Sequence, residues 1–126
     1  MTAADGFPRA ARVRRRADFE HVFAARWSAA ANGLVMHAAQ GPGDPPVARL
    51  GVSVSCRVGG AVVRNRWKLR LREAFRRVKP RLPPGDYVVV VKTRTVPAGA
   101  AGMRLVEETL ETLARRITAR PGFAGG

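Results

Sequence analysis

Residues 60–79 constrain the fold of this chain more than any other segment, because helix-breaking residues bound a stretch with helical periodicity. Gly59 and Gly60 stand at its start and Pro80 follows it, and both residue types interrupt helices. At about 100° per residue its apolar side chains fall on one arc. They are Val63, Trp67, Leu71, Ala74, Phe75 and Val78. The pattern predicts one long helix that packs on a core through an apolar stripe.

The same segment is strongly basic on both sides of that stripe. Between positions 57 and 81 there are ten basic residues and a single acid, Glu73. One flank carries Arg64, Lys68, Arg72, Arg76 and Lys79, and the other carries Arg66, Arg70 and Arg77. A solvated helix face normally carries charges of both signs. The pattern therefore favours a polyanionic partner over a merely solvated surface.

The composition of the whole chain supports the same partner class. Its 126 residues include 23 Lys plus Arg and 9 Asp plus Glu, which gives a formal net charge of +14. Such a charge attracts nucleic acid or an anionic membrane. A GC-rich coding bias accounts for arginine in place of lysine, but it does not account for so few acids. Arginine also donates two hydrogen bonds to a phosphate and stacks on bases.

No catalytic or metal-binding constellation is evident in the sequence. Cys56 is the only cysteine, which excludes an internal disulfide and a cysteine-based zinc cluster. His21, His37 and the scattered carboxylates have no metal-ligand spacing. Residues 1–16 lack a signal-peptide hydrophobic region, and the aliphatic run at 88–91 is too short to span a bilayer. We therefore expect a cytoplasmic protein with no catalytic residue and no bound metal.

The remaining elements give the order helix, strand, strand, helix, strand, helix. They are predicted around residues 18–23, at 34–39, 47–55, 60–79 and 87–92, and around 105–117. The strands at 34–39 and 47–55 are predicted to pair as an antiparallel hairpin. The mostly β-branched run at 87–92 predicts a central strand covered on both faces. The result is an α/β sandwich whose second sheet face is partly open.

Finer expectations concern the domain limits and individual positions. The chain is predicted to comprise a lead-in at 1–11, one domain at 12–120 and a tail at 121–126. Asp18 is expected to cap the first helix, and Glu111 to pair with Arg115. The stripe of the last helix is predicted to contain Leu105, Leu110, Leu113 and Ile117.

An extended string of residues resembles a known family. It consists of LGVSVS at 50–55, VGGAVVRNRWK at 58–68 and LREAFR at 71–76, with Asp18, Phe19, Phe23 and the strand at 86–92. The string is similar to the protein subunit of bacterial ribonuclease P, whose hallmark is Arg-Asn-Arg at the start of a basic helix. The resemblance covers roughly residues 12–118.

The resemblance implies a division of labour between protein and RNA. Bacterial ribonuclease P removes the 5′ leader of precursor tRNA, and its RNA subunit is the catalyst, with Mg²⁺. The protein subunit would bind that RNA and hold the leader in a cleft between the sheet and the first helix. By this similarity the residues that bind the RNA subunit are Arg57, Arg64, Asn65, Arg66, Lys68, Arg70 and Arg72. Those that bind the leader are Phe19, Phe23, His37, Arg64, Asn65 and Lys68.

Alternatives remain at the aromatic positions, and three residues depart from the family pattern. Phe19 and Phe23 either pack in the core or form a stacking platform, and His37 either stacks on a base or is a partly buried strand histidine. Cys56 and Leu69 stand where the family often has basic residues. Trp67 replaces a smaller aliphatic residue. Its place on the apolar arc favours packing in the core, with stacking on RNA as the alternative.

The resemblance also implies a specific α+β fold. It is a two-layer sandwich with a small mixed sheet, ribosomal protein S5 domain 2-like, in the order αβ(β)βαβα. The bracketed strand is expected near residues 27–29. The βαβ crossover would be left-handed, although about 98% of such crossovers are right-handed. The free protein is expected to be a monomer. The rival hypotheses are another RNA-binding module such as a ribosomal protein, a stand-alone nuclease and a DNA-binding regulator.

Overall fold

The chain has the predicted order of elements, with the additional short strand. The computed structural model describes residues 12–40 and 47–123, which leaves the predicted lead-in at 1–11 outside the described part. Its elements are α1 (Arg16–Ala24), β1 (Trp27–Ala31), β2 (Leu34–Ala39), β3 (Ala48–Ser53), α2 (Ala61–Val78), a 3-10 turn (Lys79–Arg81), β4 (Gly85–Val91) and α3 (Gly99–Thr118). None of the helices in these ranges is long and apolar enough to cross a membrane.

The four strands form one mixed sheet in the order β1-β2-β4-β3. β4 is antiparallel to β2 and parallel to β3, so the predicted central strand is confirmed. The predicted hairpin between β2 and β3 is wrong, because β4 lies between them. A strand that is apolar on both faces gains most from neighbours on both edges and cover on both faces. The alternating strand β3 is left at the edge, where Arg12 forms a bridge with Leu50.

The main core lies between one sheet face and the two long helices. Five of the six predicted stripe residues of α2 are buried, and Val63 is half-buried against the same core. Trp67 is only 1% exposed, and its Nε1 donates a hydrogen bond to the carbonyl oxygen of Thr93 at 2.9 Å. The predicted packing role of Trp67 is therefore confirmed.

α3 covers the core beside α2 through a stripe slightly different from the predicted one. Leu110, Leu113 and Ile117 are buried as expected, but Leu105 is 42% exposed. Met103 and Val106 take its place, because spacings of three and four residues continue the buried arc through them. Arg115 and Glu111 form the predicted pair, with an N–O distance of 2.7 Å.

α1 covers part of the opposite sheet face. Its Val22 is fully buried with Val13, Ala39 and Val88. The prediction that Asp18 caps this helix is wrong, since α1 begins at Arg16 and Asp18 lies in its first turn. The Asp18 carboxylate instead lies 3.8 Å from the Arg49 guanidinium.

Arg49 links α1 to the sheet through a second, buried carboxylate. Asp86 on β4 is 1% exposed and accepts two hydrogen bonds from Arg49, at 2.7 and 2.6 Å. Two hydrogen bonds in this fork-to-fork geometry are among the strongest polar contacts in proteins. Arg49 thereby ties the edge strand, the central strand and the start of α1 together.

The end of the described chain packs back on the sheet. Phe123 is buried, and its ring lies edge-on to Trp27 with a centroid distance of 5.7 Å. The Gln40 amide donates to the Phe123 carbonyl oxygen, and the Arg120 guanidinium donates to the Ser28 carbonyl oxygen. Of the predicted tail, residues 124–126 lie outside the described part.

Replacing Arg49 with methionine should destabilise the fold, because Asp86 would remain buried without a partner. We expect the free energy of unfolding to fall by about 3–5 kcal/mol in urea titrations. Arg16→Met is the matched control, since Arg16 and Glu20 form an exposed pair at 3.2 Å. The control should lose less than about 1 kcal/mol. Equal losses in both variants would contradict the assignment of Arg49.

Candidate nucleic-acid interface

The basic side chains of α2 fall into two groups according to their acidic partners. Towards the C-terminal end, Glu73 binds Arg76 at 2.6 Å and Arg77 at 3.1 Å. Arg77 also reaches Glu107 on α3 at 3.2 Å, and Arg81 lies 3.4 Å from Glu111. These ion pairs join α2 to α3 and offset part of the positive charge there.

The N-terminal segment of α2, residues 61–72, has no such neutralisation. Within residues 12–40 and 47–123, no acid lies within ion-pair distance of five basic residues in this segment. They are Arg64, Arg66, Lys68, Arg70 and Arg72. The Nε of Arg64 is buried and has no hydrogen-bond acceptor among the described residues. Unneutralised guanidinium groups on a rigid helix are suited to binding phosphates.

One flank of this segment faces the start of the described chain. Arg72 lines a pocket of about 240 Å³ together with Arg12, Arg14, Phe19 and Val52, among others. Burial lowers the pKa of Arg72, and the nearby charge of Arg12 lowers it further. Both effects disfavour the charged form of the guanidinium. The attraction of a bound anion would offset both effects.

An aromatic cluster lies next to this pocket on α1. Phe19 packs closely over β3, because a Cβ atom on Gly51 would lie 2.9 Å from its ring. Phe23 is 39% exposed, and its ring centroid lies 6.5 Å from that of Phe19. His37 on β2 meets Phe23 edge-on at 4.8 Å. Phe19 therefore fills part of the core, while Phe23 and His37 form an accessible platform.

The sheet face beyond α1 forms the floor of a cleft. Val35, Val90 and Ser53 lie side by side across three strands and are each partly exposed. Lys92 follows β4, and its charge reaches His37. Burial lowers the pKa of His37 first, and the charge of Lys92 lowers it further. The cleft thus combines a floor of two valines and a serine, an aromatic wall and a positive rim.

The described residues contain no group of three or more His, Cys, Asp or Glu that could hold a metal ion. The Nε2 atom of His21 lies 3.4 Å from the Gln40 carbonyl oxygen. His21 is two residues before Phe23 on α1, so the two side chains leave the helix on nearly opposite sides. Cys56 is exposed and carries a free thiol.

Comparison with known proteins agrees with this geometry. The model of the Ribonuclease P family matches residues 7–118, which is most of the chain. The chain belongs to the ribonuclease P protein family. A relative named "Ribonuclease P protein component" from Streptomyces avermitilis is 40% identical over 114 residues, covering 84% of this chain and 90% of that one. Its counterpart from Xanthomonas campestris pv. campestris is 39% identical over 116 residues, covering 91% and 74%.

Solved ribonuclease P proteins share the fold. The protein from Staphylococcus aureus superposes with a TM-score of 0.70 at 26% identity, covering 86% of this chain and 95% of that one. The protein from Thermotoga maritima gives a TM-score of 0.67 at 30% identity, covering 84% and 96%. The two-layer α+β fold, including the additional strand β1, is the one expected of this family.

The structure brings only some of the predicted site residues of this ribonuclease P protein into contact. Phe19, Phe23 and His37 form one cluster, while Arg57 is exposed in the loop before α2. Asn65 and the five basic residues of the N-terminal segment lie along α2. Phe19 and Arg72 line the same pocket, which connects the aromatic cluster to α2.

Sequence reasoning missed three cationic residues around the cleft. Arg12 and Arg14 line the pocket beside Arg72, and Lys92 lies near His37. The alternation Arg12-Val13-Arg14, with Val13 only 4% exposed, is the signal of an edge strand with both arginines on one side. Lys92 is the first charged residue after the apolar run of β4, where a strand end reaches solvent.

The His37 environment predicts a pH dependence of stability. Because the pKa of His37 in the folded state is lowered from 6.5, the unfolded chain binds more protons below this value. Stability should therefore be complete above about pH 7 and fall as the pH drops through about 6.5. Urea unfolding between about pH 5.5 and 7.5 should show a smaller slope in His37→Phe than in the wild type. A slope that His21→Gln reduces instead would contradict this assignment.

Proposed function

We propose that this chain binds the catalytic RNA of ribonuclease P and the 5′ leader of precursor tRNA, and thereby assists removal of the leader. The observation that carries the proposal is the N-terminal segment of α2, which contains no acidic residue and lies beside an open aromatic cleft. A rigid row of guanidinium groups orients an RNA backbone, and the cleft accepts unpaired nucleotides.

The RNA subunit would bind along α2 and the loop before it. We assign this role to Arg57, Arg64, Asn65, Arg66, Lys68, Arg70 and Arg72. The assignment is supported by the contrast between the N-terminal segment of α2 and its C-terminal end. Arg76 and Arg77 are held by Glu73, so they are structural. The five basic residues of the N-terminal segment lack acidic partners among the described residues. RNA phosphates would supply the missing negative charge.

The leader would lie in the cleft between α1 and the sheet. We assign this role to Phe19, Phe23 and His37, with Arg64, Asn65 and Lys68 at the edge. Single-stranded RNA is commonly recognised by stacking of its bases on aromatic side chains. The exposed Phe23 ring, braced by His37, offers such a surface. Arg12, Arg14 and Lys92 add positive charge along the path.

We further propose that the RNA subunit performs the cleavage with Mg²⁺. Hydrolysis of a phosphodiester by two metal ions needs ligands that hold the metals close together. The described residues offer no cluster of such ligands, so they do not fit a magnesium centre of their own. The chain would instead bind as a monomer and position the leader. The cytoplasm, where bacterial tRNA is transcribed, is the location that this function requires.

The direct test adds the purified chain to a bacterial ribonuclease P RNA at a magnesium concentration too low for the RNA alone. We expect precursor tRNA to be cleaved at the 5′ end of the mature sequence, and only when both components are present. Absence of stimulation at every protein concentration would refute the proposed function. Cleavage by the protein without RNA would refute the assignment of catalysis to the RNA.

Arg64→Ala should weaken binding of the ribonuclease P RNA by about 10-fold, because a charge-assisted hydrogen bond to phosphate is lost. The salt dependence of the binding constant should become shallower by about one unit of slope. Arg76→Ala is the matched control on the same helix, since Arg76 is paired with Glu73 at 2.6 Å. Filter binding over a salt series measures both quantities. Equal effects of the two substitutions would contradict the division of α2.

Phe23→Ala should weaken binding of precursor tRNA by the holoenzyme by about 1–3 kcal/mol, the value of one stacked base. Mature tRNA, which lacks the leader, should bind with unchanged affinity. Leu105→Ala is the control, because Leu105 has a similar exposure of 42% but lies on α3. If Phe23→Ala weakened both tRNAs equally, Phe23 would not contact the leader.

A further inference from the structure

A second concave surface lies on the flank of α2 that faces away from the aromatic cleft. It is a pocket of about 430 Å³ between α2 and the segment that enters α3. Most of its surface is apolar, and Arg66 and Arg70 line its α2 side. The remaining lining residues are Leu69, Glu73, Val96, Pro97, Ala98 and Met103. The roles assigned above to Arg66 and Arg70 do not explain this apolar interior.

Leu69 contributes an exposed apolar side chain to the pocket. It is 67% exposed, whereas five of the six stripe residues of α2 are buried. It is flanked along the helix by Arg66 and Arg70, which have no acidic partner among the described residues. A mostly apolar pocket bordered by such cations suits a ligand that has an apolar face and a negative charge. A nucleotide combines an apolar base face with a negative phosphate, so it satisfies both features.

The wall opposite α2 packs closely on the start of α3. A Cβ atom on Gly102 would lie 2.4 Å from the carbonyl carbon of Pro97, so Pro97 lies directly against the α3 backbone. The proline ring restricts φ at this position. A segment with fewer accessible conformations loses less conformational entropy when a ligand binds.

The size and charge of the pocket limit the classes of ligand that it can bind. Pockets of about 300–1,000 Å³ usually take small-molecule groups, so this one has room for a nucleotide but not for a duplex. Glu73 closes one end, but its carboxylate is already bound by Arg76 and Arg77. The pocket thus keeps the positive charge of Arg66 and Arg70.

We propose that this pocket receives one unstacked nucleotide of the ribonuclease P RNA. Its base lies against Leu69 and Pro97, and its phosphate binds Arg66 or Arg70. The inference rests on the proposed function, because the RNA must already lie along the N-terminal segment of α2. It adds a defined base-binding site to a surface otherwise described by charge alone.

Filling the pocket tests the proposal. Ala98 is exposed and lines the pocket, so Ala98→Trp should occupy the space of the base without disturbing the core. We expect its affinity for the ribonuclease P RNA to fall by about 10-fold, which is within the range for one stacked base. Ala101→Trp is the matched control, because Ala101 is exposed on α3 and does not line the pocket. The control should bind within about twofold of the wild type.

Chemical probing of the RNA gives a second readout. One unpaired base should be protected by the wild-type protein and by Ala101→Trp, but not by Ala98→Trp. Leu69→Ala removes apolar wall from an exposed position, so it should retain the fold and weaken protection of the same base. This second variant keeps the test decisive if Ala98→Trp fails to fold.

The outcomes separate this inference from the proposed function. Wild-type affinity and full base protection in both Ala98→Trp and Leu69→Ala would overturn the pocket proposal, and would leave the pocket open to a protein partner. If Arg64→Ala still weakened binding, the proposed function would stand. If the wild-type chain did not bind the ribonuclease P RNA at all, both proposals would fail.

Discussion

The docking of α2 on the sheet through its apolar stripe determines how the rest of the molecule can act. Trp67, Leu71 and Phe75 are buried there, and the hydrogen bond from Trp67 to the Thr93 carbonyl oxygen fixes the rotation of the helix. Because a helix is rigid over its length, this rotation directs every basic side chain on both flanks. One flank then meets residues 12–14 and the aromatic cleft, and the other meets the segment entering α3.

The scarce acids make these flanks unequal along the helix. Glu73, Glu107 and Glu111 bind the C-terminal end of α2 to α3. The side chains of Glu107 and Glu111 are only 19% and 18% exposed. The C-terminal end therefore contributes to the fold, while basic residues without an acidic partner are concentrated in the N-terminal segment of the helix, beside the cleft.

Periodicity predicted the elements well because it depends on local sequence. The predictions of the apolar stripe of α2 and of the buried strand β4 were both correct, since burying these apolar side chains requires one orientation of each element. Strand pairing failed because it depends on competition between strands: β4 displaces β3 from β2. The prediction that Asp18 caps α1 was wrong because the helix begins two residues earlier, at Arg16, which places Asp18 in its first turn. β1 was expected only from the family resemblance. The unequal exposure of Phe19 and Phe23 depends on Gly51, which helical spacing alone does not reveal.

Tethered hydroxyl-radical cleavage measures directly whether RNA lies along the N-terminal segment of α2 and not along its C-terminal end. An iron chelate would be attached at Val62→Cys or at Pro80→Cys, both in a Cys56→Ser background. Val62 and Pro80 are exposed and lie about 27 Å apart along the helix axis. We predict strong, localised cleavage of the ribonuclease P RNA from position 62 and little from position 80. Cleavage of equal strength from both positions, or from position 80 alone, would contradict it.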